Sequence, residues 1–215
     1  MARVASSCGF RRLKVKAGIS GDIERIRLLR ERLPRAIIRV DANQGWSLDE
    51  APGKLAELER LAVELVEEPV AGSTAELERL AAATSVPVLL DESARDLAQV
   101  RRFAREAPSV AGIVVKTAKN GGPAESLELA RAARDCGMRV MVSSMVETSL
   151  GVSAALGVAP LCAWCDLDAP LLLLQDPFTG LSYRDEAPRL DAEGVMPGPD
   201  LAAFIAALAP LLRGD

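Results

Sequence analysis

The chain has 215 residues, 49% of them hydrophobic, with a formal net charge of −4 and no histidine. That length and apolar content suit one large domain, and the mild acidity gives no electrostatic reason to expect nucleic acid or an anionic membrane as partner. Lack of histidine removes the Ser–His–Asp triad, the Cys–His pair, histidine zinc sites and a histidine base, leaving carboxylates, lysines, thiols and hydroxyls for any chemistry.

Taken in order, residues 1–10 read as the tail of a helix. Residues 12–16 (Arg-Leu-Lys-Val-Lys) alternate as a strand does, and 22–33 form an amphipathic helix stopped by Pro34. The β-branched run of Ile37, Ile38 and Val40 predicts a buried strand ending at Asp41, followed by a helix over 48–60 that opens on a Ser47/Glu50 capping box. The next strands are read at 62–67, 86–91, 111–116, 139–143 and 161–166. Helices are expected between them at 73–83 (a second capping box, Ser73/Glu76), 96–106, 123–136 and 148–158. Short strands and turns over 171–199 and a last helix over 201–212 complete the reading. No apolar run reaches the roughly 18 residues of a membrane span, and no secretion-signal core stands at the N-terminus. A cytoplasmic protein is expected.

The strands end on Lys16, Asp41, Glu67, Asp91, Lys116, Ser143 and Asp166, spaced 23 to 27 residues apart. A strand–helix unit repeating at that interval predicts an α/β fold with a parallel sheet, and near-continuous apolar strands agree with burial on both faces. Such a series either stays open and doubly wound or closes as a TIM-like (β/α)-barrel. No Gly-rich dinucleotide or phosphate loop follows any strand, and polar residues end nearly every one, which favours the barrel. Seven strands are counted where a barrel needs eight, so the missing first strand is placed upstream. The barrel domain is then residues 1–170, with 171–215 a C-terminal segment.

Asp41, Glu67 and Asp91 end three consecutive strands, and parallel neighbours lie about 4.8 Å apart. Three anions that close need a neutralising partner, and all-oxygen ligation suits Mg²⁺; taken singly, each acid could equally cap a helix. Lys16 and Lys116 end strands four units apart, which in a barrel sets them across the mouth with the acids on the arc between. One lysine could then remove a proton α to a carboxylate and the other return it, with Mg²⁺ stabilising the enediolate. Each lysine alone reads as a solvated charge. Cys162-Ala-Trp-Cys165 fits C-x-x-C, but its place in a strand-like apolar run argues for buried, inert thiols rather than a redox pair.

Leu13-Lys-Val-Lys16, Asp41-Ala-Asn-Gln-Gly-Trp46, Glu67-Glu-Pro69, Asp91-Glu-Ser93 and Lys116-Thr-Ala-Lys119-Asn-Gly-Gly122 resemble the enolase superfamily, muconate-lactonizing subgroup, in order and spacing over residues 10–170. The resemblance implies an α-proton abstraction enzyme with Asp41, Glu67 and Asp91 as Mg²⁺ ligands and Lys16 and Lys116 as the acid/base pair. It also implies that Lys14 helps bind a substrate carboxylate. Asp166-Leu-Asp168 resembles the D-x-D of dipeptide epimerases of the L-Ala-D/L-Glu kind, where two acids hold a free α-ammonium. Residues 141–147 resemble the strand lining that pocket, with Ser143 and Met145 as lining residues. The resemblance implies an N-terminal capping domain in members of this subgroup, and the residues that match begin after that domain and after the first strand; residues 171–215 would be expected to pack on it. The expected partner is a small dipeptide or related carboxylate, and a homo-oligomer is compatible, dimers and octamers being common in the family. Other subgroup reactions stay open: N-acylamino acid racemase, o-succinylbenzoate synthase or muconate cycloisomerase. A catalytically silent barrel fragment is the reading from a different class.

Overall fold

The computed structural model describes residues 10–184, 186–198 and 201–202. Seven parallel strands run in sequence order: β1 (Arg12–Lys16), β2 (Ile37–Asp41), β3 (Leu65–Glu67), β4 (Val88–Leu90), β5 (Gly112–Lys116), β6 (Arg139–Ser143) and β7 (Trp164–Asp166). Between them lie α1 (Asp22–Arg32), α2 (Ala51–Arg60), α3 (Thr74–Ala82), α4 (Leu97–Glu106), α5 (Pro123–Asp135) and α6 (Ser149–Leu156). The short pairs β8 (Phe178–Thr179) with β11 (Met196–Pro197), and β9 (Leu181–Arg184) with β10 (Ala187–Leu190), follow.

The sheet is curled. Seven strands laid flat would hold their edges roughly 29 Å apart at the usual strand spacing. Instead Lys14 Nζ on β1 reaches Asp166 Oδ2 on β7 at 3.0 Å, and Arg39 on β2 donates to the Cys165 carbonyl at 2.9 Å. The wall is therefore that of a barrel, with β1 and β7 at its two edges and no strand joining them among the described residues.

Burial follows the two-residue period of each strand. One set of side chains, including Ile38, Val66, Leu90, Ile113 and Val142, packs outward against helix residues such as Ile26, Leu55, Leu58, Leu77, Phe103 and Leu129. The other set, Leu65, Leu89, Val114, Met141 and Trp164, supplies one residue from each of β3 to β7 to an apolar floor inside the curl. Gly112 permits the close β5–β6 approach, since a Cβ there would stand 2.0 Å from the Arg139 carbonyl oxygen.

Several boundaries depart from the sequence reading for visible reasons. The Ser47/Glu50 box forms both reciprocal bonds, at 3.2 Å each, but α2 starts at Ala51, with Pro52 in its first turn. The strand expected from residue 62 starts at Leu65, because Ala62 turns the chain at φ 51°. The strand expected from 161 starts at Trp164, after a 3-10 turn at Ala159–Leu161. Cys162 consequently precedes the strand and is half-buried, while Cys165 is exposed, so the expectation of two buried strand thiols is corrected. Burial nevertheless raises both thiol pKa values, that of Cys162 to about 12, which keeps them protonated. The helical tail expected over residues 1–10 falls, except for Phe10, outside the described residues, as does the final helix beyond residue 202. No helix among the described residues is long and apolar enough to cross a membrane.

Candidate active site

The apolar floor fixes what stands above it. Two residues beyond Leu65, Leu89, Val114, Met141 and Trp164 come Glu67, Asp91, Lys116, Ser143 and Asp166, which the strand period turns into the mouth of the curl. Lys16 and Asp41 stand in register with each other on β1 and β2, and Asp41 with Glu67 on β3. The strand-end series read from the sequence is thus one ring of side chains, with Lys14 one step below on the β1 side.

Two lysine–acid groups make up the ring. In the first, Lys14 Nζ lies 2.9 Å from Glu67 Oε2, 3.0 Å from Asp166 Oδ2 and 3.1 Å from Asp41 Oδ2. Lys16 Nζ adds contacts to Asp41 Oδ2 at 2.7 Å and Asn43 Oδ1 at 2.8 Å. Ser143 donates its hydroxyl to Asp166 Oδ2 at 3.0 Å. In the second group Asp91 accepts from Lys116 Nζ at 2.5 Å and from Lys119 Nζ at 2.6 Å; Lys119 also donates to the carbonyls of Asp91 at 2.7 Å and Val114 at 3.0 Å.

Electrostatics follow from these partners. Burial opposes the charge on Lys14, but Glu67, Asp166 and Asp41 override it and raise its pKa. Burial would lift Asp41 and Asp91, yet their lysines hold both carboxyls below the usual range. Glu67 is the exception: burial, only partly offset by Lys14, pushes it up to about 7. Burial, opposed by Asp91, lowers Lys119.

The loops that carry these groups are pinned by residues to which the sequence reading assigned no role. Glu68, fully buried and at φ 37°, accepts from the amides of Asp91 at 2.7 Å and Ser93 at 3.3 Å, from Gln44 Nε2 at 3.3 Å and from the Ser93 hydroxyl. One carboxylate therefore ties the loops after β2, β3 and β4 together, at the cost of an unfavourable backbone angle. Asp22 accepts from Trp46 Nε1 at 2.7 Å and the Gly18 amide at 3.0 Å, clamping the loop after β1 to that after β2. The two loops touch through glycines: a Cβ on Gly18 would stand 2.4 Å from the Ala42 oxygen, and one on Gly45 2.5 Å from Gly18 Cα. Asn120 receives the Lys116 amide at 2.8 Å and donates to the Arg95 carbonyl at 3.1 Å. Glu68, Asn120 and Lys119 stand inside the quoted motifs, so a signal existed; Asp22 gave none.

The ring opens on a cleft of about 840 Å³ lined by Lys14, Lys16, Asp91, Lys116, Lys119, Met145, Asp166 and Asp168. Ser143, Asp41 and Glu67 lie buried beneath its surface. Of the Asp-x-Asp pair, Asp166 is engaged by Lys14 and Ser143, whereas Asp168 is exposed and has no ion-pair partner among the described residues. Lysine ammonium groups stand among the acids, and no three Asp, Glu or Cys side chains among the described residues form a metal-holding group. Glu67 Oε1 is nevertheless buried with no hydrogen-bond partner among the described residues. An orphaned carboxylate oxygen, next to acids that remain ionised, fits a hard cation.

A model of the family described as enolase C-terminal domain-like matches residues 1–197. The L-Ala-D/L-Glu epimerase of Bacillus subtilis is 38% identical over 182 residues, covering 80% of this chain and 50% of that protein. The o-succinylbenzoate synthase of Thermobifida fusca is 36% identical over 164 residues, covering 74% of this chain and 50% of that one. Among solved structures, the dipeptide epimerase from Cytophaga hutchinsonii, complexed with Mg and the dipeptide D-Ala-L-Val, superposes with a TM-score of 0.84 at 29% identity, over 94% of this chain and 58% of that one. This chain spans about half the length of the curated relatives it matches.

Proposed function

Because the chain belongs to the enolase C-terminal domain-like family, we propose that it forms the catalytic barrel of a Mg²⁺-dependent dipeptide epimerase working by α-proton abstraction and return. The observation that carries this reading is that Lys16 and Lys116, from strands four apart on a curled sheet, line one cleft with Asp168, which has no ion-pair partner among the described residues, at its wall. One lysine Nζ takes the α-proton from one face of the substrate and the other Nζ delivers a proton to the opposite face. Lys14, kept charged by its acids, orients the substrate carboxylate, while Met145 contributes apolar lining. Asp168, with Asp166, receives the substrate's free ammonium.

Asp41, Glu67 and Asp91 would hold Mg²⁺, which when bound supplies the positive charge that stabilises an enediolate.

A second reading rests on the pairing of Asp166 with Lys14, which leaves less negative charge free for an ammonium. In that case a substrate without an amino group, of the kind the Thermobifida fusca relative's name indicates, replaces the dipeptide. NMR-detected exchange of the substrate α-proton in D₂O, run over a panel of dipeptides with Mg²⁺ or EDTA, tests the proposal. Exchange that needs Mg²⁺ and a free α-amino group supports it. Exchange only with N-acylated substrates favours the second reading, and no exchange with any substrate describes a silent barrel.

A further inference from the structure

Among the described residues β1 pairs only with β2, and β7 only with β6, so each leaves one edge of backbone groups unclaimed by the described sheet. On β7 the Asp166 carbonyl is bound by the Ser144 amide of the β6 side at 3.1 Å, which turns the neighbouring carbonyls of Cys165 and Leu167 to the open edge. Both are satisfied from elsewhere. Arg39 takes the Cys165 carbonyl at 2.9 Å, and the Tyr183 hydroxyl on β9 donates to the Leu167 carbonyl at 2.6 Å. The turn of the same hairpin reaches β1, where Glu186 accepts from the Arg12 amide at 2.9 Å and the Arg12 guanidinium at 2.8 Å. The β9–β10 hairpin is thereby fastened to both edges of the curl, across a cavity of about 300 Å³ whose wall includes Asp168.

The Leu167 carbonyl belongs to the peptide whose nitrogen is that of Asp168, and Asp168 stands immediately before the 3-10 turn Ala169–Leu172 with no capping bond from its side chain. Asp168 is the acid of the mouth with no ion-pair partner among the described residues, so the placement of its backbone bears directly on where its charge is presented. Burial and the negative charges of Asp168 and Asp176 raise the Tyr183 pKa, which keeps the hydroxyl protonated as a donor.

We propose that Tyr183 is a positioning residue for an ammonium-binding subsite: by holding the Leu167 carbonyl it fixes the peptide that carries Asp168, and so sets how strongly that carboxylate selects a free α-amino group. This rests on the dipeptide reading above. It assigns a specificity role to a residue in the C-terminal hairpin, outside the strand-end ring.

Tyr183→Phe removes only the hydroxyl and keeps the ring. Binding of L-Ala-L-Glu and of its N-acetyl derivative, measured by isothermal calorimetry in Mg²⁺ on the full chain and on the variant, gives a selectivity ratio for each. The wild type should prefer the free dipeptide by about tenfold, and the variant's preference should shrink to about twofold while its affinity for the acetylated ligand is unchanged. A wild type without preference, or without binding, sinks the dipeptide reading itself. A selective wild type with an equally selective variant overturns the role of Tyr183. So does a variant in which both affinities fall together, because loss of structure does not distinguish the two ligands.

Discussion

The two lysine–acid groups of the mouth are built to opposite balances. On the β1 side two lysines serve three acids, Asp41, Glu67 and Asp166, and Lys16 stands with 65% of its side chain exposed. On the β5 side two lysines share one acid, Asp91, and Lys116 is only 9% exposed. The first group has spare negative charge, shown by a Glu67 oxygen without a hydrogen-bond partner among the described residues, and a solvent-exposed lysine whose ammonium is bonded to Asp41 and Asn43. The second has spare positive charge and an ammonium held in place by its surroundings. A two-base reaction across one cleft would thus use an exposed lysine on one face and a buried one on the other.

The largest effects should come from removing either base. Lys16→Ala and Lys116→Ala should each slow epimerisation by about 10²–10⁴-fold, followed by polarimetry or by NMR of the two epimers. The difference between the groups then predicts unequal rescue. Methylamine added to the solution can reach the place of exposed Lys16 and should restore part of the rate, whereas the buried Lys116 position should not respond. Equal rescue of both would erase the contrast between exposed and buried bases.

Next in size is the unpaired acid. Asp168→Asn should raise KM for free dipeptides about tenfold with little change in kcat, since it touches binding and not proton transfer. A matching fall in kcat would place Asp168 in the chemistry.

Smaller still is the support beneath the first group. Asp22→Asn should cost about 1–3 kcal/mol at neutral pH, read from urea midpoints, because the amide cannot accept from Trp46, Gly18 and Ile23 as the carboxylate does. Burial opposes ionisation of Asp22, but the bonds from Trp46, Gly18 and Ile23, with Lys54 nearby, lower its pKa below 3.8. A depressed folded-state value means the stability from ionised Asp22 is present above pH 3.8 and lost as pH falls through the folded-state pKa. The gap between wild type and variant should therefore close in acid. A gap that widens there would reverse the assigned sign.

The smallest effect is expected outside both groups. Cys162→Ser and Cys165→Ser should leave exchange unchanged, and iodoacetamide should label the half-buried Cys162 slowly at neutral pH, because burial pushes its thiol pKa up to about 12. Rapid labelling would reopen the redox reading of C-x-x-C.

The strand ends were legible because a buried parallel strand shows its period and its terminus in five or six residues, and the repeat set seven of them in phase. Asp41, Glu67, Asp91, Lys116 and Asp166 could be placed at one rim on that ground. Their partners could not. Lys119 stands three residues beyond Lys116, but only the turn through Asn120 returns its ammonium to Asp91. Tyr183 meets Leu167 and Glu186 meets Arg12 through the closing of the curl, and no local pattern encodes that. Cys162 was misplaced because an apolar run does not distinguish a strand from a 3-10 turn ending in one. Burial of Glu68 likewise depends on three loops meeting, although Glu67-Glu-Pro69 was in view.

The most direct test of the two-base account is α-proton exchange in D₂O with separate L,L and L,D epimers of one dipeptide, on Lys16→Ala and Lys116→Ala in Mg²⁺. Each variant should lose exchange from one epimer and keep it from the other, with the two variants showing opposite preferences. If either variant exchanges both epimers, or both variants lose the same one, Lys16 and Lys116 do not serve opposite faces of the substrate.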